Sequence, residues 1–176
     1  AGIGSDALEN ATGNIGVNLA SGAQNQQSNS TALSAMSNTY KKQTSVDYAS
    51  ATAGAQQNAQ NNSVKDMGSS DTATLNGYAA SKASGNIAIN IASGLQNQQS
   101  NGLAMAAIAD KAAMASASAP VMQNAMSNMV KVSNSDYNSK VSGNALVSAS
   151  GNIGLNVATG NDNQQVNTLA IASATK

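Results

Sequence analysis

Four amides recur on one fixed pattern in this chain. Asn25, Gln26, Gln27 and Asn29 return as Asn97, Gln98, Gln99 and Asn101, and again as Asn163, Gln164, Gln165 and Asn167. Asn14 and Asn18 return as Asn86 and Asn90, and as Asn152 and Asn156. A primary amide offers donors and an acceptor and carries no charge. Its chemistry is hydrogen bonding, and identical amides stacked above one another pair donor to acceptor along a common axis. Groups that break covalent bonds are scarce. The chain has no His and no Cys, so the usual metal, triad and thiol sites are excluded. Asp6 and Glu9 lie close together, but neither recurs, and they read as solvated charges. The stretch Gly-Asn-Ile-Gly lacks the lysine and the helix of a phosphate loop. No catalytic, cofactor-binding or metal residue is assigned, and the chain reads as a non-enzyme.

The amides belong to longer repeats. GNIGVNLASGAQNQQSN at 13–29 returns as GNIAINIASGLQNQQSN at 85–101 and as GNIGLNVATGNDNQQVN at 151–167. Extended outward, the copies make three units, 3–37, 75–109 and 141–175, joined by linkers 38–74 and 110–140. Each unit reads as strand, turn, strand, turn, strand. The first strand, Asn14 to Ala20, sets Ile15, Val17 and Leu19 on one face and small or amide residues on the other. Ile15, Ile87 and Ile153 form a candidate apolar column. Gly22, Gly94 and Gly160 follow it as a candidate turn requiring positive φ. A second extended segment runs from Gln24 to Ser28 and a third from about Thr31 to Met36.

The linkers hold most of the charge. Residues 48–65 align without a gap on 114–131 at an offset of 66, the offset that relates the second and third units. This predicts ordered linkers stacked on one another beside the units, with the surplus of the first linker protruding near Thr39–Asp47. A helix over Ala112–Val130 is the competing reading, because Met122, Met126 and Met129 share a helical face; Pro120 argues against it.

Composition favours assembly over a lone globule. Charged residues make up 9% of the chain, against about a quarter in ordinary domains, and Phe and Trp are absent. Such a chain buries little apolar surface to offset the entropy of ordering, so an isolated monomer should be disordered or marginal. Zero net charge and four tyrosines as the sole aromatics give no nucleic-acid surface. No run of 18 apolar residues spans a membrane. Ala1 is compatible with a mature N-terminus after cleavage of a leader.

Stacking the three units at about 4.8 Å puts each identical residue on its copy. Simple solvation of a surface would tolerate Ser, Lys or Glu at the amide positions, and no copy uses them there. Within the units Asp6, Glu9, Lys82 and Asp162 each occur in one copy. In an end-to-end stack such charges recur every third layer, roughly 14 Å apart, beyond the Debye length of about 8–10 Å. Neither end unit looks like a cap, so the stack should grow without closure. The predicted fold class is all-β: a cross-β, solenoid-like amyloid with three stacked β-arch or Greek-key layers per chain, assembled axially into a fibril.

The pattern GNIGVNxAxGxxNQQxN, in three copies with two linkers, resembles the Fap functional-amyloid subunits of Pseudomonas-type biofilms over nearly the whole chain. The resemblance implies a secreted, extracellular structural subunit of a biofilm-matrix fibril. Its partners would be further copies of itself, a related fibril subunit and an outer-membrane secretion pore, with no cofactor. The carried-over residues are the Asn/Gln cluster and the Gly-Asn-Ile strand. FapC carries a Cys-x-x-Cys that this sequence lacks, which tilts the expectation towards a FapB-like over a FapC-like subunit. A monomeric β-solenoid surface adhesin or binding module is the rival reading, and it needs end caps. Ice binding would favour regular Thr-x-Thr rows, and these are missing.

Overall fold

The computed structural model describes residues 1–37, 47–109 and 113–175. Fifteen strands appear in these residues: β1 Gly2–Ile3, β2 Thr12–Ser21, β3 Gln26–Ser37, β4 Asp47–Thr52, β5 Ala55–Gln60, β6 Ser63–Met67, β7 Ser70–Leu75, β8 Ser84–Leu95, β9 Gln98–Ala109, β10 Ala113–Ser118, β11 Val121–Met126, β12 Met129–Ser133, β13 Asp136–Val141, β14 Ser150–Asn161 and β15 Gln164–Thr175. The chain is all-β, with parallel strands stacked in a solenoid-like, cross-β arrangement. The described part of the candidate helix, 113–130, holds β10, β11 and the start of β12, broken at Ala119-Pro120 and at Ser127-Asn128.

Every sheet is parallel and pairs equivalent positions. β8 lies between β2 and β14, β9 between β3 and β15, and β7 between β1 and β13. Ile15 pairs with Ile87 and Ile87 with Ile153; Gln26 pairs with Gln98 and Gln98 with Gln164. β4, β5 and β6 pair with β10, β11 and β12, matching Tyr48 to Met114 and Lys65 to Lys131 at the offset of 66. A one-residue slip would turn every side chain to the wrong face, so the alternating pattern holds this register. The predicted protrusion falls largely outside the described residues, at 39–46; Asp47 opens β4.

In cross-section the sheets follow one another in four layers. The β7 sheet packs on the β8 sheet, the β8 sheet faces the β9 sheet, and the β9 sheet packs on β4 and β10. The first interface is apolar: Ile15, Val17, Leu19, Ile87, Ile89 and Ile91 bury against Ala73 and Leu75. The third is an alanine seam of Ala104, Ala106 and Ile108 against Ala49, Ala51 and Ala53. Small side chains let these sheets approach closely. The second interface, inside the arch, is polar and holds the amides.

Two details differ from the sequence expectation. The extended segments expected at 24–28 and 31–36 are one strand from Gln26 to Ser37, because the intervening Ser28, Asn29 and Ser30 contain no residue that stops a strand. Gly22, Gly94 and Gly160 have φ of +99°, +116° and +99°, but β8 and β14 run through Gly94 and Gly160. The glycine bends the strand, and the reversal falls two residues on, where Gln24, Gln96 and Asp162 have φ of 59°, 60° and 55°.

Candidate functional site: the amide core of the arch

Alternation along β3 decides where each amide points. Gln27 and Asn29 face β2 across the arch, while Gln26 faces the linker strands. Each then reaches a different in-plane partner. The Gln27 amide donates to the Leu19 carbonyl at 3.0 Å, and Gln99 and Gln165 do the same to Ile91 and Val157, both at 2.9 Å. Asn29, Asn101 and Asn167 donate to the carbonyls of Val17, Ile89 and Leu155, each at 3.1 Å. Asn25 closes the bend by donating to the Ser21 carbonyl at 3.0 Å, as Asn163 does to Thr159 at 3.0 Å. Gln26 donates to the carbonyl of Asn58 at 2.7 Å, and Gln98 to that of Asn124 at 3.0 Å.

Asn18 completes the core from the opposite strand. Its Oδ1 accepts from Asn29 at 2.8 Å, and the same clasp joins Asn101 to Asn90 at 2.9 Å and Asn167 to Asn156 at 2.8 Å. Small residues stand beside it, Gly16, Ala88 and Gly154 in the three layers, and a Cβ on Gly154 would lie 2.9 Å from the Asn101 oxygen.

Along the axis the same amides meet their copies. Asn86 donates to Asn14 and Asn152 to Asn86, both at 2.8 Å. Asn90 donates to Asn18 and Asn156 to Asn90, both at 3.0 Å. Asn97 donates to Asn25 at 3.0 Å and Asn163 to Asn97 at 2.8 Å. Gln98 donates to Gln26 at 3.3 Å and Gln164 to Gln98 at 3.2 Å. Gln27 donates to Gln99 at 2.8 Å and Gln99 to Gln165 at 2.9 Å. Asn101 donates to Asn29 and Asn167 to Asn101, both at 3.1 Å. In the middle layer Gln98, Gln99, Asn97 and Asn90 are fully buried. Burial without charge and with each donor and acceptor matched is the condition under which polar groups do not destabilise a core.

One column breaks. Gln96 donates to Gln24 at 3.1 Å, but its own carbonyl oxygen has no partner among the described residues. The next residue in that column is Asp162, whose carboxylate has no hydrogen to donate.

A family model described as the functional amyloid protein FapB/FapC family matches residues 1–174. The chain belongs to that family. The functional amyloid subunit FapC of Pseudomonas aeruginosa is 40% identical over 115 residues, covering 64% of this chain and 33% of the relative. The chain thus spans about a third of the length of this curated relative. No solved structure matches it.

Other groups in this FapB/FapC chain were not visible in the sequence. The Asp66 carboxylate accepts hydrogen bonds from the hydroxyls of Ser69 and Tyr137, which hold it below the usual carboxylate range. Burial, then the Asp66 hydrogen bond, pushes the Tyr137 hydroxyl up to about 12. These residues join β6 to β13, 71 positions apart, and no local motif marks them. Glu9, expected to be free in solvent, receives the Lys82 ammonium of the next layer at 3.2 Å. Lys65 and Lys131 pair in register, a like-charge stack that is tolerated because both are exposed.

Proposed function

We propose that this chain is a structural, non-catalytic subunit of an extracellular functional amyloid fibril in a biofilm matrix. It polymerises by templated stacking: the third unit (141–175) of one copy receives the first unit (3–37) of the next, and the amide columns continue across the junction. Units 3–37, 75–109 and 141–175 act as rungs, and linkers 38–74 and 110–140 close the coil around them. The principal partner is a second copy; a related fibril subunit and an outer-membrane secretion pore are implied by the family.

The observation that carries this reading is the contrast between the middle layer and the third. Ile87 and Ile89 are fully buried, whereas Ile153 and Leu155, in the same columns, are 41% and 37% exposed. β14 and β15 each pair on one side only, so they present open, parallel strand edges. An identical layer placed on top would bury that apolar row and satisfy those edges. Family membership supports the same role. At the junction Asp162 would meet the Gln24 amide of the next copy, a charge-assisted contact where the internal column breaks.

The test is conversion from dilute monomer. The far-UV circular dichroism of fresh monomer should be that of a disordered chain and convert to β after a lag, which sonicated fibrils shorten. A folded monomer that never polymerises would favour the β-solenoid adhesin instead.

A further inference from the structure

The amides also form a zipper between units and linkers, and it is incomplete by one strand per chain. β4 packs against both β3 and β9, and β10 against both β9 and β15. Each linker therefore sits half a step above one unit and below the next. Side chains stitch this stagger in one direction. Gln26 donates to the Asn58 carbonyl at 2.7 Å, and Gln57 donates on to the Gln99 carbonyl at 2.8 Å. Gln98 then donates to the Asn124 carbonyl at 3.0 Å, and Gln123 to the Gln165 carbonyl at 3.1 Å.

The next step would run from Gln164 to a linker carbonyl, and from a linker glutamine to the Gln27 carbonyl of the following copy. Three units and two linkers supply neither. Gln164 is exposed, as are Ala170 and Ala172, whose counterparts Ala104 and Ala106 are buried under the linker strands. If copies stack unit on unit, β10–β12 of one copy and β4–β6 of the next stand two strand spacings apart, about 9.6 Å, instead of one.

We propose that each junction between stacked copies holds a strand-shaped slot that binds an extended peptide of linker type, supplied in trans by another polypeptide. The chemistry of the slot names its occupant. It needs a backbone with a strand edge on both sides, a glutamine that donates to the Gln27 carbonyl, a following residue whose carbonyl accepts from Gln164, and small residues that cover Ala170 and Ala172. β4–β5 and β10–β11 are such segments, with Gln57-Asn58 and Gln123-Asn124 at the two contact positions and the covering alanines, Ala49 and Ala51 or Ala115 and Ala117, on β4 and β10. A lipid or a small ligand would not complete both glutamine contacts and both strand edges. A peptide seated there would tie one subunit to the next along the flank of the fibril by β-strand addition. This inference rests on the stacking reading above and adds a partner to it.

The probe is a fluorescein-labelled synthetic peptide of residues 113–141, mixed with washed, preformed fibrils of the whole chain and pelleted. Saturable binding at about one peptide per chain is expected, with at least a tenfold weaker affinity for the Gln123→Leu peptide and none for a peptide of the same composition in permuted order. Binding confined to fibril ends, far below one per chain, would overturn the slot. So would no saturable binding, or equal binding of the permuted peptide. Absence of fibrils would sink the stacking reading itself. Fibrils with three layers per chain that ignore the peptide would sink only the slot.

Discussion

Gln99→Glu replaces one atom at the centre of the amide core and should turn assembly into a function of pH. Gln99 is fully buried. Its amide nitrogen donates to the Ile91 carbonyl and to Gln165 Oε1, both at 2.9 Å, while its oxygen accepts from Gln27 at 2.8 Å. A carboxylate would set an acceptor against two acceptors in a fully buried position. The cheaper course is to hold the new carboxyl protonated. Against an ordinary glutamate value of about 4.3, that costs about 1.36 kcal/mol per pH unit, or about 3.7 kcal/mol at pH 7. The sign follows from linkage. The assembled state raises the pKa, so the penalty is absent below about 4.3 and grows as pH rises above it. Copies of the substitution recur every third layer, roughly 14 Å apart, so neighbouring subunits add little. Expressed as residual soluble protein beside fibrils, the ratio of variant to parent should reach about three orders of magnitude at pH 7. It should fall to within about tenfold at pH 3.5, where one lost donor contributes about 1 kcal/mol. The assay is sedimentation of seeded reactions at both pH values. A ratio near one at pH 7, or a ratio that does not change with pH, would refute a buried, hydrogen-bonded Gln99 in the assembled state.

Three further outcomes test other parts of the arrangement. Gly13 and Gly68 have φ of +100° and +83°, and neither would meet an atom within 4 Å if given a Cβ, so Gly13→Ala and Gly68→Ala carry similar backbone strain within one chain. A Cβ on Gly85 or Gly151 points at the carbonyl of Gly13 or Gly85 at 2.2 and 2.1 Å, so by repetition a Cβ on Gly13 strikes Gly151 of the copy below; Gly13→Ala should block seeded growth and Gly68→Ala should slow it little, and equal effects would count against the junction. Gln26→Lys, Gln98→Lys and Gln164→Lys together set a charge in every layer, about 4.8 Å apart, at a column buried in its middle copy; thioflavin fluorescence should stay flat, and unchanged kinetics would contradict the amide column. Tyr137 in the fibril should ionise near 12, read as a 295 nm absorbance step lost in Tyr137→Phe. Because its folded value is raised, the stabilisation it gives is present below about 10 and is lost as pH rises from about 10 towards 12.

The axial order was legible because it is written as identity: Asn25, Asn97 and Asn163 advertise their own pairing. The offset of 66 did the same for β4–β6 on β10–β12. The cross-section was not legible. Gln26 is held by a backbone carbonyl 32 residues away, and any residue at position 58 supplies a carbonyl. Gly94 and Gly160 announced a special φ but not that the strand would continue past them. The reversal sits on Gln24, Gln96 and Asp162, types with no strong turn signature except the last. Met122 and Met126 imitate a helical stripe because residues four apart share a face in a strand as in a helix; Met129 opens the next strand, past the left-handed Ser127. One left-handed position ahead of the long strands is glycine in two copies, Gly77 and Gly143, and Ser5 with φ of 55° in the first; the others fall on residues such as Leu8, Ala80 and Leu146 that do not mark them.

The central claim is that one chain contributes three rungs and that the last rung receives the first rung of the next chain. A fibril image at near-atomic resolution measures this directly as the axial advance per subunit. Three layers at about 4.8 Å predict an advance of about 14.4 Å, with Gln164 of one copy beneath Gln26 of the next. An advance of one layer per chain, or fibrils in which the three copies lie side by side in the plane, would contradict it.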